Sequence, residues 1–253
     1  MKDISLRDVL TYVSCPLKLK LVRDELSKLT PNDLYLISAR AGVIEFFNSL
    51  ALGSNKSSAI NRAIKTFSQV WDREIDRTIE DTKDKISFYN GSMMVTMIGQ
   101  IYNEEEDEVV ATNFPLIVPI YNILYLHDKV DILLINTTPS GKKTIRGISL
   151  ENVHPWDNER YFSIRASVFR LAVQSYLGGS GIKRHYSYES RPLNASANIT
   201  DANFIDVPVI YEICSKVSMG IDKSIFFPTM SREVCKGCAH KYSCDLSLVR
   251  LNK

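Results

Sequence analysis

Cys235-Lys236-Gly237-Cys238-Ala239-His240-Lys241-Tyr242-Ser243-Cys244 spaces three thiols as C-x2-C-x5-C, close enough to grip one metal centre. A fourth thiolate is available at Cys15, 220 residues upstream (235 − 15), where it precedes Pro16. Four Cys thiolates suit an iron–sulfur cluster. They equally suit zinc, for which His240 is a stand-in ligand if Cys15 lies elsewhere. Spacing alone does not separate iron from zinc. Cys214, alone in an apolar helical stretch, reads as a core residue.

Working outward, the chain of 253 residues is 45% hydrophobic and 24% charged, enough for one sizeable core. Its net charge of +2 gives no global signal for nucleic acid, so an electrostatic footprint would be a local patch. No secretory leader and no apolar run long enough for a membrane span is visible, so the expectation is an intracellular protein with no membrane partner. Reduced thiols there favour metal over disulfides.

Ser5 with Asp8 has the form of a capping box, and Pro16 suits the first turn of a second helix. Pro31-Asn32-Asp33 starts a longer helix. After a break at Gly53-Ser54-Asn55, Ile60, Ile64, Phe67, Trp71, Ile75 and Ile79 recur every three or four residues as the buried stripe of another. A further helix runs through Met93, Met94, Met97 and Ile101 into Glu104-Glu105-Glu106-Asp107-Glu108, read as a solvated loop.

The period then changes. Residues 109–112, 116–118, 123–126 and 130–135 are short β-rich runs parted by Pro115, Pro119 and Asn122. Turn residues at 139–143 lead to a strand over 144–150, hairpinned to its predecessor. A helix over 160–177, a strand over 182–188 and a helix over 207–219 follow. Strand–helix–strand predicts a crossover and a mixed sheet.

Leu10-x-Tyr12-x-x-Cys15-Pro16-Leu17-Lys18, the order helical segment, hairpin, crossover helix, strand, and Phe226-Phe227-Pro228 leading to Cys235, Cys238 and Cys244 together resemble the iron–sulfur branch of the PD-(D/E)xK nuclease superfamily. That branch holds RecB-like exonucleases, including CRISPR-associated single-strand exonucleases and the AddB nuclease domain. The resemblance spans nearly the whole chain. It implies an α/β fold with a mixed central sheet flanked by helices, in which 28–103 is a helical subdomain and 104–192 the sheet core. It implies that residues 1–27 and 204–253 are joined by a four-iron four-sulfur cluster on Cys15, Cys235, Cys238 and Cys244.

The family's chemistry needs an acid on the first hairpin strand and acid-x-Lys on the second, which hold magnesium or manganese against a phosphodiester. Asp131 falls at the first acid, but Gly147 and Ser149 stand at the acid and lysine positions, and sliding the register to Glu151 supplies no lysine. The family's helical His has no counterpart between residues 54 and 70, where Asn61 is aligned. Its Gln and Tyr on the crossover helix are Arg165 and Phe169, with Gln174 too late to substitute.

The resemblance therefore implies a nuclease fold without its reaction, with Asp131 a residual acid or a plain hairpin acid paired with Lys129 or Arg146. A rearranged active site on Glu108, Asp131 and Glu151 with Lys142 or Lys143 is the competing expectation, the only one that calls for a divalent ion. The expected function is DNA binding, single-stranded or forked, as an accessory of a nucleic-acid-processing complex. Arg160, Arg165, Arg170, Lys183 and Arg184 would contact phosphates, with Lys18, Lys20 and Arg23 near the cluster, and Tyr186 and Tyr188 would stack on bases. The alternative is a docking subunit of a polymerase, helicase or CRISPR-type assembly.

Overall fold

The computed structural model describes residues 2–24, 31–74, 94–121, 124–150, 159–176, 185–191 and 204–227, and positions 235, 238 and 244. The chain order is β1 (Lys2–Ser5), α1 (Leu6–Ser14), α2 (Pro16–Asp24), α3 (Pro31–Ala51), α4 (Lys56–Glu74), α5 (94–101), β2 (Asp107–Ile120), β3 (Leu124–Thr137), β4 (Lys143–Ser149), α6 (Glu159–Tyr176), β5 (His185–Ser190) and α7 (Val207–Asp222). No described helix is long and apolar enough to cross a membrane.

The five strands form one mixed sheet with β3 at its centre. β2 runs antiparallel along almost all of one edge of β3. The other edge is shared: β1 lies parallel to residues 124–127 and β4 antiparallel to 132–137. β5 lies parallel to β4, so α6 is the crossover between them, as strand–helix–strand predicted.

β1 is a departure from the sequence reading. Four residues are too few to show a period, and their pairing partner lies over a hundred residues away. The segment expected only to serve the cysteines thus also contributes a strand to the sheet. β2 is a second departure, since it runs unbroken through Pro115 and Pro119. Among the described residues β3 is its only strand partner, and proline is tolerated on an edge strand because a missing N–H there breaks no ladder.

Helices pack on both faces. α1, α6 and α7 bury Leu6, Val9, Phe162, Phe169, Ile210 and Val217 against Leu116, Val118, Leu126, Val130 and Leu133. α3, α4 and α5 bury Val43, Phe46, Phe47, Phe67 and Ile98 against Ile132, Leu134 and Ile148. The inward stripe of α4 is Ala59, Ala63, Phe67 and Trp71, whereas Ile64 is exposed. Small residues let α3 come close: a Cβ on Gly42 would lie 2.9 Å from the Ala63 carbonyl oxygen.

Asp107 is also not where the sequence suggested. It opens β2 with its side chain buried, ending the acidic run inside the sheet rather than in solvent. Its carboxylate accepts from Asn136 Nδ2 and from the Asn103 N–H, each at 2.9 Å, and from Arg146 Nη1 at 3.0 Å. Arg146 also reaches Glu189 Oε1 at 2.9 Å, and Arg191 reaches Glu189 Oε2 at 2.8 Å. Two acids and two guanidinium groups thus neutralise one another across β2, β4 and β5.

Burial pushes the Glu189 carboxyl up, but hydrogen bonds and charge from Arg146 and Arg191 outweigh it and hold the group below the usual carboxylate range. A pKa lower in the folded than in the unfolded chain gives stability that is complete above the unfolded value and lost as pH falls through the folded one. Wild-type urea midpoints are therefore expected to fall on acidification, and the gap to Glu189→Gln to narrow with them. A gap that holds constant through the acid limb would show that the pair does not couple to the proton.

Candidate functional site

Asp131 sits where the alternation of β3 slips. Val130 and Leu133 face one core and Ile132 and Leu134 the other, which strict period-two pleating does not allow. Opposite the slip, between the pairs Thr112↔Ile132 and Phe114↔Val130, Asn113 adopts a left-handed φ of 49°. Asparagine tolerates that conformation better than most residues.

The Asp131 side chain is 1% exposed. Oδ1 accepts from Nε of Arg40 on α3 at 3.2 Å and from the same guanidinium's Nη2, while Oδ2 accepts from the Leu150 N–H at 2.7 Å. The acid is thus clamped between the helical layer and the end of β4. Its partner is neither Lys129, which reaches Asn113, nor Arg146, which serves Asp107 and Glu189. No pattern in the sequence links Arg40 to an acid 91 residues away.

Gly147 on β4 lies between Leu133 and Tyr188 on neighbouring strands. A Cβ there would lie 2.6 Å from Cζ and 2.8 Å from Cδ2 of Phe169, and closer still to Cε2. Phe169 from α6 therefore fills the space that an acidic side chain at 147 would need. Tyr188 closes the cluster, its ring centroid 5.7 Å from Phe169 and 5.4 Å from Phe162. Gly147 and Phe169 are thus complementary in packing: the ring occupies the space beside the glycine. Ser149 is buried at the end of the same strand.

Among the described residues the rearranged active site is not assembled. Glu108 pairs with Ile135 and Lys143 with Thr137, four and six residues along β3 from Asp131. At ~3.4 Å per residue that is roughly 14 and 20 Å, too far to share one ion with it. Glu151 lies outside the described residues.

Of the side chains expected to meet nucleic acid, Arg165 and Arg170 are half-buried, and Arg170 lies over the Phe204 ring, 4.3 Å from its centroid. Tyr188 is core, so it does not offer a face to a base; Tyr186 is half-buried against the same core. The side chain of Arg160, and Lys183 and Arg184 entirely, fall outside the described residues, as does the Arg23 side chain. Lys20 is exposed on α2.

Cys15 caps α1, its N–H donating to the Thr11 carbonyl at 2.9 Å. Two residues on, the Leu17 N–H donates to the Phe227 carbonyl at 3.2 Å, and Tyr12 Oη donates to the Ile225 carbonyl at 2.7 Å. Tyr12 also packs edge-on against Phe226 and over Gly220, where a Cβ would lie 2.8 Å from Cζ. Tyr12 and Leu17 thus tie the α1–α2 junction to the segment that leads into the cysteine run. In that run the Cys238 N–H donates to the Cys235 carbonyl at 3.2 Å.

Cys15, Cys235, Cys238 and Cys244 are half-buried and unbridged; as donors they suit either an iron–sulfur cluster or zinc, but no three of them are brought together. Among the described residues no three His, Cys, Asp or Glu side chains are grouped closely enough to hold an ion. Cys214 is different: burial pushes its thiol up to about 12. In metal-free protein a disulfide reagent is expected to titrate four thiols without denaturant and the fifth only on unfolding. Five thiols reacting at one rate would place Cys214 within reach of solvent.

No family model matches the chain, and no curated protein matches it. Among solved structures, the crystal structure of SSO0001 is similar in overall shape at a TM-score of 0.42 and 10% identity, over 98% of this chain and 87% of that one.

Proposed function

We propose that the chain is a non-catalytic, iron–sulfur, nuclease-fold protein that binds single-stranded or forked DNA as an accessory of a nucleic-acid-processing complex. The observation that carries the loss of catalysis is the buried Asp131 carboxylate, neutralised by Arg40 and bonded to the Leu150 N–H. A divalent ion would have to displace a guanidinium from a dry site and would find no second carboxylate there among the described residues. The order of helical layer, β2–β3–β4, crossover α6 and parallel β5 supports the family reading. A cluster on Cys15, Cys235, Cys238 and Cys244 would supply a structural tie between the α1–α2 junction and the cysteine run.

Purified anaerobically, the protein is expected to be brown, to contain iron and acid-labile sulfide, to bind single-stranded or forked DNA in a salt-dependent way, and to leave labelled DNA uncut with magnesium or manganese. Manganese-dependent cutting abolished by Asp131→Ala would overturn the non-catalytic reading. A colourless, zinc-loaded protein would overturn the cluster. The second reading, a docking subunit without direct DNA contact, draws support from Arg170, whose guanidinium is spent on Phe204 rather than offered to phosphate. Absence of salt-dependent DNA binding would select it.

A further inference from the structure

Among the described residues, one half of the sheet has a face that no helix covers. Along β2 and β3 the even-numbered residues Leu116, Val118, Leu124 and Leu126 point into the core with α1, α6 and α7. Their odd-numbered neighbours point the other way, and α3, α4 and α5 cover that side only beyond the slip at Asp131, over Ile132, Leu134 and Ile148. Before the slip the register sets Pro119 beside Tyr125, Ile117 beside His127 and Pro115 beside Lys129. Tyr125 and His127 are half-buried and the other four are exposed, Ile117 at 48%.

This face is unusual in what it leaves in water. Each rung of the ladder sets a ring or a cation beside an apolar residue, and the two prolines stiffen the floor. The acid paired beside Tyr125, Asp3 of β1, is engaged by His127, Nε2 to Oδ1 2.9 Å, and the exposed Lys129 ammonium lies one rung further along the row, where its described partner is the neutral Asn113 side chain. Rings on alternate residues of one sheet face, followed by a cation, are the components with which sheets hold unstacked bases. The Tyr125 and His127 centroids are 6.3 Å apart, about twice the ~3.4 Å rise between stacked bases. Such spacing suits bases splayed along an extended single strand and not a duplex.

We infer that this half-face, with Tyr125 and His127 as stacking residues and Lys129 as the phosphate contact, is a platform for single-stranded DNA. The inference rests on the DNA-binding reading above and moves its centre from the α6 arginines to the sheet.

The test is fluorescence anisotropy of the whole protein with a labelled oligo-thymidine and with a duplex of matched length, over a salt series. Tyr125→Ala and His127→Ala are each expected to weaken single-strand binding about tenfold and to leave duplex binding unchanged. Tyr125→Phe should keep wild-type affinity, and Lys129→Ala should reduce the salt slope by about one. Thermal melts matching wild type show that the variants are folded. If wild type binds the oligonucleotide and both ring variants bind as tightly, the platform is wrong while DNA binding stands. If wild type does not bind even at low salt, both fail.

Discussion

Gly147→Asp is expected to destabilise the chain by about 4 kcal/mol or more, a large part of the ~5–15 kcal/mol that holds most domains folded. Two costs add. Any side chain at 147 starts with a Cβ inside the van der Waals envelope of the Phe169 ring, an overpacking that Gly147→Ala should report alone at about 1–3 kcal/mol. The aspartate then buries a carboxylate among Phe162, Phe169 and Tyr188. Phe169→Ala is costly by itself, about 3–5 kcal/mol, because it opens a cavity. Combined with Gly147→Asp it should cost clearly less than the sum of the two, since the cavity receives the new side chain. Urea denaturation measures all four proteins, and an unchanged midpoint in Gly147→Ala would sink the argument.

Arg40→Met should rank next, at about 3–5 kcal/mol, because it strands a negative charge at a site 1% exposed. The converse change is milder. Asp131→Asn keeps an oxygen for the Leu150 N–H, and Arg40, with its side chain 28% exposed, can turn toward water. The double variant Arg40→Met with Asp131→Asn should therefore be more stable than Arg40→Met alone. Additive losses in that cycle would mean that the two side chains do not depend on each other.

The sequence exposed whatever depends on near neighbours. The starts of α3 and the turn at Gly53, with φ of 82°, were legible because proline and glycine mark them locally. The β3–β4 hairpin and the α6 crossover followed from period and order. What stayed hidden is set by distant partners. Asp107 read as one more acid in a solvated run because Arg146 and Asn136, which take it into the sheet, lie 39 and 29 residues away. Pro115 and Pro119 read as breaks because nothing local says that β2 is an edge. Nothing local links Gly147 to Phe169, and only packing shows that the ring takes the space beside the glycine.

The position of β1 bears on how the chain reaches this state. Lys2 pairs with Leu124 and Ser5 with His127, so the first strand waits for residues 122 positions further on (124 − 2). At ~5–20 residues per second, synthesis takes on the order of ten seconds to deliver them. During that time α1, which follows β1 directly, has neither the sheet nor α7 to cover Leu6 and Val9. Pairings of such separation also slow folding, because the loop must close before any contact rewards it. Refolding is therefore expected to assemble the β2–β3–β4 meander first and to dock the amino-terminal segment last.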